Sequence, residues 1–462
     1  MARFPMRGAR LVLGLLLLLL PAAAGCLTPS DTAVGEQQVG PLPLPLDLPT
    51  FTPLKIIDDV RPGGEPVITI TPKGTILVSA HPGPTHTRLP PSPGLLSNAA
   101  AQSYIWRSED GGATFTPLNL AGPAGPAGPW AGVSDPDFAI DANGRVYFTD
   151  LGPLTHASLA WSDDEGKTWM ANPVASAVGG APTDRQWLAT HGTDVYFSSN
   201  YFTSQKLLKS TDGGLTWAMV GEPNCGSDLI ADSKGVLYAG CGKEFLAALD
   251  VSEDGGATWT MREVPGATEI FRTLAEPAVD ANDTVYITWT QEDGVYYSST
   301  KDKGVTWTTP FELTKHVAPN GTGLWPWIVA GDGGRIAVAW MGLYEDEDPS
   351  VATGDWHIFM ALLTGADTEN PQVYAVQATD APIHQGAICQ NGTVCQLPEP
   401  SPTSGDRRLG DFFEIAVDPE GYVHAVFAVT TAGDSISHPG YVKQTAGPKV
   451  YLTPRTLAGG HH

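Results

Sequence analysis

One eight-residue phrase occurs five times along this 462-residue chain. It reads Ser108-Glu109-Asp110-Gly111-Gly112-Ala113-Thr114-Phe115 in its first copy, and further copies open at Ser162, Ser210, Ser252 and Thr300. The shared pattern is S/T-x-D-x-G-x-T-W/F, with starts stepping by 54, 48, 42 and 48 residues. A period of that length belongs to blades or stacked arrays, not to a single-pass core. Within each octet the third-position aspartate (Asp110, Asp164, Asp212, Asp254, Asp302) is suited to accept hydrogen bonds from backbone N–H groups of its own turn. The fifth position is always Gly, as expected where the backbone needs positive φ or close approach. The closing Trp or Phe is large enough to wedge between neighbouring sheets.

Ahead of each octet lies a hairpin of alternating β-branched and aromatic residues about a Gly- or Asp-bearing turn, such as Asp141-Ala142-Asn143-Gly144 or Asp232-Ser233-Lys234-Gly235. Seven such hairpins start in the chain, at residues 66–79, 138–148, 187–198, 228–238, 277–289, 327–340 and 412–427, the last two without an octet. One or two further strands follow each. The expected fold is therefore all-β: a seven-bladed β-propeller with four-stranded antiparallel blades, which hides its sheet edges by radial closure. A six-bladed ring with one stray hairpin is the alternative. A strand near residues 54–58 is expected to complete the last blade and tie the ends together.

The octets resemble the Asp box, or BNR repeat, of the sialidase-like β-propellers. The resemblance covers nearly the whole chain after residue 50 as a fold, and it implies architecture before activity, because function belongs to a site and not to a fold. True sialidases have six blades and carry an Arg-Ile-Pro motif, an arginine triad, an Asp acid/base and a Tyr–Glu pair. Here the corresponding early stretch, Leu54-Lys55-Ile56-Ile57-Asp58-Asp59-Val60-Arg61-Pro62, lacks Arg-Ile-Pro. Segments such as Asp184-Arg185-Gln186-Trp187 and Gly410-Asp411-Phe412-Phe413 look similar to those of exported BNR-repeat proteins.

Residues 1–26 read as an export signal, with Arg3, Arg7 and Arg10 ahead of the apolar run 11–20. Ala23-Ala24-Gly25-Cys26 resembles a prokaryotic lipobox, which implies lipidation of Cys26 and an anchor on the outer side of the membrane; plain secretion is the alternative. Residues 27–50 fit a Pro-rich tether, 51–455 the propeller and 456–462 a tail. Removing the three signal arginines takes the formal charge from −24 to −27. So acidic a surface argues against nucleic acid and against polybasic attraction to anionic lipid. Cys225 and Cys241 lie symmetrically about one hairpin turn, and Cys389 and Cys395 about another, so each pair falls within disulfide reach. The C-x₂₋₄-C spacing of zinc sites is absent. Asn282, Asn320 and Asn391 stand in N-x-T sequons.

In a ring of antiparallel blades the first hairpin turns and the octets share one face. The long insertions share the other, where binding usually resides. Ahead of the inner strands on that second face stand Asp135, Asp137, Asp184, Arg185, Gln186, Trp187, Arg272, Glu276, Trp325, Trp327, Arg407, Arg408, Asp411 and Glu414. Mixed Arg, carboxylate and indole groups in a funnel suit an anionic or sugar-like ligand; internal salt bridges plugging the axis are the structural alternative. Following the resemblance, Arg185, Arg272 and Arg408 would form a triad, with Glu276 near Tyr344 and Asp135 as acid. A glycan- or protein-binding propeller is the preferred function, with a glycosidase of acidic sugars and an assembly factor as alternatives. A monomer is expected, with no cofactor and no defined metal site. A structural calcium on Glu345-Asp346-Glu347-Asp348 lacks the ligand spacing that would favour it over a solvated acidic loop.

Overall fold

The structure of the protein, a computed structural model, describes residues 47–81, 103–118, 134–152, 156–172, 183–201, 204–242, 246–267, 275–292, 294–390, 405–433 and 436–453. Cys26, Arg272, Cys395 and the side chain of Asp184 lie outside what is described, as do the signal, most of the tether and the tail.

Each of the seven hairpins opens a blade, and seven antiparallel sheets form a seven-bladed β-propeller. Blade 1, for example, runs Gly64–Ile70, Ile76–His81, Tyr104–Ser108 and Thr116–Leu118 from the axis outward. The innermost strands of the seven blades are Gly64–Ile70, Ser134–Ile140, Thr183–His191, Leu229–Ala231, Glu276–Val279, Gly323–Ala330 and Glu414–Val417. Each contacts the innermost strand of the next blade, and the last returns to the first. A blade pressed between two others buries both faces, so its middle strands are apolar at nearly every position. Ile76–His81 and Val423–Val429 are buried throughout, whereas the outer Thr260–Glu263 is largely exposed.

Ring closure joins the two ends of the chain. The last blade supplies only three strands of its own, and Thr50–Phe51 and Lys55–Ile56 pair antiparallel with its third, His438–Ala446. The expected closing strand is thus present, split into two short pieces.

The octets sit where the third strand turns into the fourth, and all five share one hydrogen-bond pattern. In the first, Asp110 accepts from the Thr114 N–H at 2.9 Å, the Thr114 hydroxyl at 2.6 Å and the Ser108 hydroxyl at 2.8 Å. The Thr hydroxyl and N–H hold Asp110, Asp212 and Asp254 down at about 2. In the four Trp-bearing copies the indole N–H donates back to the carbonyl of the fifth-position Gly. That Gly makes the contact between sheets. Gly256 has φ +95°, and a Cβ there would lie 2.2 Å from Leu207 of the preceding blade. At Gly112 a Cβ would lie 2.0 Å from the Tyr441 hydroxyl of blade 7.

A second turn motif went unread in the sequence. The first-turn aspartates Asp141, Asp232 and Asp280 each accept two turn N–H groups and a tyrosine hydroxyl six residues on, at 2.8–3.1 Å. In blade 7, Asp418 meets His424 instead.

Cys225 and Cys241 form the expected disulfide, with Cα atoms 5.0 Å apart. Cys389 is also disulfide-bonded; its expected partner Cys395 lies outside the described residues. In the acidic loop, Glu347 and Asp348 cap N–H groups of Thr353 and Ser350 within the loop itself.

Candidate functional site

The register of the inner strands sorts their residues by height. Four positions before the first turn residue stand Val67, Asp137, Trp187, Asp228, Glu276, Trp327 and Glu414, one from each blade. Two positions earlier, nearer the mouth, stand Glu65, Asp135, Arg185, Gly226, Trp325 and Phe412. In blades 1, 2, 3 and 6 the register slips at this upper level. There Glu65, Asp135, Arg185 and Trp325 adopt φ of 44–50°, a conformation uncommon outside glycine. Such bulges re-aim side chains and concentrate near functional sites.

At the upper level a charged network crosses the axis. Arg185 Nη2 donates to Asp411 at 2.9 Å, and Arg407 forms a two-pronged pair with the same carboxylate. Glu65 accepts the Asp411 N–H at 2.8 Å and stands 2.8 Å from His81 Nε2, with Arg407 3.6 Å away. The Arg185 N–H donates to Asp135 at 3.2 Å, and the Gln186 amide reaches the Asp135 main-chain carbonyl. Arg407 is buried, while about a quarter of the Arg185 side chain remains exposed.

At the lower level lie four buried carboxylates and an aromatic cluster. Trp187 packs 5.9 Å from Trp327 and 5.4 Å from Phe412, joining blades 3, 6 and 7 across the axis. Asp137 accepts the N–H of Leu188 at 2.6 Å, Glu414 that of Ile68 at 3.0 Å, and Glu276 that of Asp228 at 3.2 Å, each stitching one blade to its neighbour. Burial pushes Asp228 up to about 8. Burial, followed by the Asp228 charge, pushes Glu276 up to about 8 as well, with Arg185 acting in the opposite sense. Asp137 and Glu414 also rise well above the usual range, by burial first and by neighbouring carboxylates second. Four buried carboxylates this close disfavour one another's charge, so burial and mutual repulsion both favour the protonated forms. The far end of the axis holds a mostly apolar cavity of about 70 Å3, lined by residues such as Ile140, Leu229 and Val329 together with Thr69, Thr190 and Tyr451.

The structure thus brings Asp135, Arg185, Trp187, Glu276, Trp327, Arg407, Asp411 and Glu414 to one end of the axis. Trp325 is buried at the same level. Other nominated residues stand elsewhere. Arg408 is buried and clamped on Asp406 at 2.6 Å and on the Ile436 carbonyl at 3.1 Å, whereas Arg185 reaches Asp411. Tyr344 is exposed, its ring edge-on to Phe359 at 5.1 Å, whereas Glu276 is buried on the Asp228 N–H, so they form no nucleophilic pair. Arg272 lies outside the described residues, and Asp184 is described only through its backbone pairing with Asn200. Sequence reasoning missed Glu65, His81 and Asp228. The recurrence of Glu65-Pro66, Asp135-Pro136 and Trp325-Pro326 at one height was the available signal for the first; His81, at the end of a second strand, carried none.

No protein-family model and no curated protein matches the sequence. Among solved structures the chain is similar to YCF48 bound to a D1 peptide, at 10% identity over 87% of this chain and 99% of that one, with a TM-score of 0.48. It is similar to the α-L-arabinofuranosidase Arb93A of Fusarium graminearum, at 14% identity over 86% and 97% of the two chains, with a TM-score of 0.41. A third is the NanB sialidase of Streptococcus pneumoniae, at 11% identity over 85% and 70%, with a TM-score of 0.42.

Proposed function

We propose that this chain is an exported, lipid-anchored Asp-box propeller that binds a glycan at its axial mouth without turning it over. The observation that carries the reading is the upper network, where Arg185, part-exposed and on a bulge, shares Asp411 with the buried Arg407. A guanidinium beside fixed carboxylates offers donors and acceptors for sugar hydroxyls, and an Arg fork suits a sugar carboxylate. Turnover asks for an acid within reach of the glycosidic oxygen. The carboxyls that burial shifts upward here, Glu276 and Asp228, lie below the mouth, and exposed Tyr344 and buried Glu276 share no hydrogen bond among the described residues. Binding of the purified protein to an array of neutral and acidic glycans tests this. Arg185→Ala is expected to weaken the strongest hit by roughly 10-fold or more, equivalent to about 1.4 kcal/mol. No glycan binding, binding indifferent to Arg185→Ala, or steady release of product from sialoside or uronide substrates would each overturn it.

The anchor rests on Cys26 within the lipobox-like Ala23-Ala24-Gly25-Cys26 and on the Cys225–Cys241 disulfide, which fits an oxidising compartment. Among the described residues no helix is long and apolar enough to cross a membrane. The full chain is expected in the membrane fraction of its cells, and Cys26→Ala is expected to move it to the soluble exported fraction. A Cys26→Ala chain that stays membrane-bound overturns the lipid anchor.

A further inference from the structure

We infer that Glu65, His81 and Asp135 form a binding site for one divalent first-row transition metal, Zn²⁺ or Mn²⁺ in class, at the mouth of the axis. One ligand atom from each lies within 4.8 Å of the other two, and all three residues are buried, at 2%, 0% and 7% exposure. Their types are an imidazole and two carboxylates, a donor set that suits zinc or manganese. Ligand oxygens and nitrogens about 2.0–2.2 Å from a shared zinc ion lie about 3–4 Å from one another, so small side-chain adjustments suffice.

The three residues come from adjacent blades. Glu65 and His81 are the ends of a paired hairpin, with Gly64 opposite His81, and Asp135 sits at Glu65's height in the next blade. Both acids ride bulges at φ 45° and 44°. Backbone donors pin one oxygen of each: the Asp411 N–H holds Glu65 Oε1 at 2.8 Å, and the Arg185 N–H holds Asp135 Oδ2 at 3.2 Å. Glu65 Oε2 is the oxygen that faces His81 Nε2, at 2.8 Å. Metal would take the place of the hydrogen bond between them, with any proton on Nε2 passing to solvent. Beside the cluster, Gln186 sets its amide nitrogen on the Asp135 main-chain carbonyl. Its Oε1 is buried and has no hydrogen-bond partner among the described residues, so this side chain keeps an acceptor to spare close to Asp135. Two carboxylates and a neutral imidazole also balance a divalent charge, while Arg407 keeps its two-pronged pair with Asp411 and stands 3.6 Å from the other Glu65 oxygen.

The test uses the purified chain lacking its terminal His461-His462, stripped with EDTA and titrated with Zn²⁺, Mn²⁺ or Co²⁺ separately. Expected is uptake of one ion per chain, a rise in melting temperature on metal addition, and with Co²⁺ a visible absorption band of a nitrogen- and oxygen-ligated ion. His81→Gln and Asp135→Asn are each expected to weaken uptake by roughly 100-fold or more, since loss of outer partners alone costs about 10–100-fold. The cobalt spectrum is read on the unsubstituted chain and needs no variant to fold. Absence of stoichiometric uptake by that chain overturns the site, and so does uptake unchanged in a folded His81→Gln protein. Metal uptake is read without any glycan, so its failure leaves the glycan reading standing, and the reverse holds too.

Discussion

Deletion of residues 47–58 is expected to lower the denaturation midpoint of the propeller more than any single substitution. This segment supplies the outer strands of blade 7, through Thr50–Phe51 and Lys55–Ile56 on His438–Ala446. The Thr52 N–H donates to the Lys443 carbonyl and the Ile57 N–H to the Pro439 carbonyl, both at 2.8 Å. Lys55 Nζ reaches on to the Gly112 carbonyl in the octet of blade 1, at 2.9 Å. Asp58 accepts the indole N–H of Trp106 at 2.9 Å and pairs with Arg61 at 2.7 Å. Each such bond is worth on the order of 1 kcal/mol, so losing the set removes roughly 5 kcal/mol or more, a large share of a typical domain's stability. It also bares the edge of His438–Ala446 to intermolecular pairing. Urea unfolding of the deleted and full chains measures the loss. A synthetic peptide of residues 47–58 is expected to restore part of it in trans. An unchanged midpoint would falsify the closure of the ring through these strands.

The second large effect is on pH. Glu276 and Asp228 have folded-state values near 8, against ordinary values of 4.5 and 3.8. A carboxyl raised in this way favours the folded state below its unfolded value and withdraws that support as pH climbs toward 8. The groups facing Glu276 act in both directions, since Asp228 raises it and Arg185 lowers it. Glu276 is itself among the carboxylates that raise Glu414, together with Asp137 and Asp228. The octet aspartates work the opposite way. Asp110, Asp212 and Asp254, held near 2, support the fold above pH 4 and withdraw support as pH falls toward 2. Stability is therefore expected to peak near pH 4–5 and to decline toward pH 8, the reverse of an ordinary acid-sensitive protein. Glu276→Gln keeps the shape and removes the ionisation. It is expected to raise stability at pH 8 by on the order of 4 kcal/mol while changing little at pH 4.5. Urea midpoints for both proteins across pH 4–9 decide the matter: a wild-type midpoint that rises from pH 5 to 8, or a Glu276→Gln protein that is weaker at pH 8, rules it out.

Architecture was legible in the residues because its determinants are local. An octet whose Asp caps its own turn and whose Gly accepts φ near +90° needs no distant partner to declare itself, and five spaced copies imply a ring. The Cys225–Cys241 pair could be read for the same reason, since both cysteines flank a single hairpin. Where Asp135, Arg185, Glu276 and Asp411 lie along the axis also follows from counting back from each turn. What they bond to does not. Arg408 and Arg407 are neighbours in sequence, yet one turns to Asp406 and the other to Asp411 and Glu65. Tyr344 and Glu276 read equally well as partners until the structure shows one exposed on Phe359 and the other buried. His81 comes within 4.8 Å of Asp135 through the packing of blade 1 on blade 2. Local hydrogen bonding and turn chemistry, which act over a few residues, set the blades; radial closure, which brings together groups far apart in the chain, decided which charges share the hub.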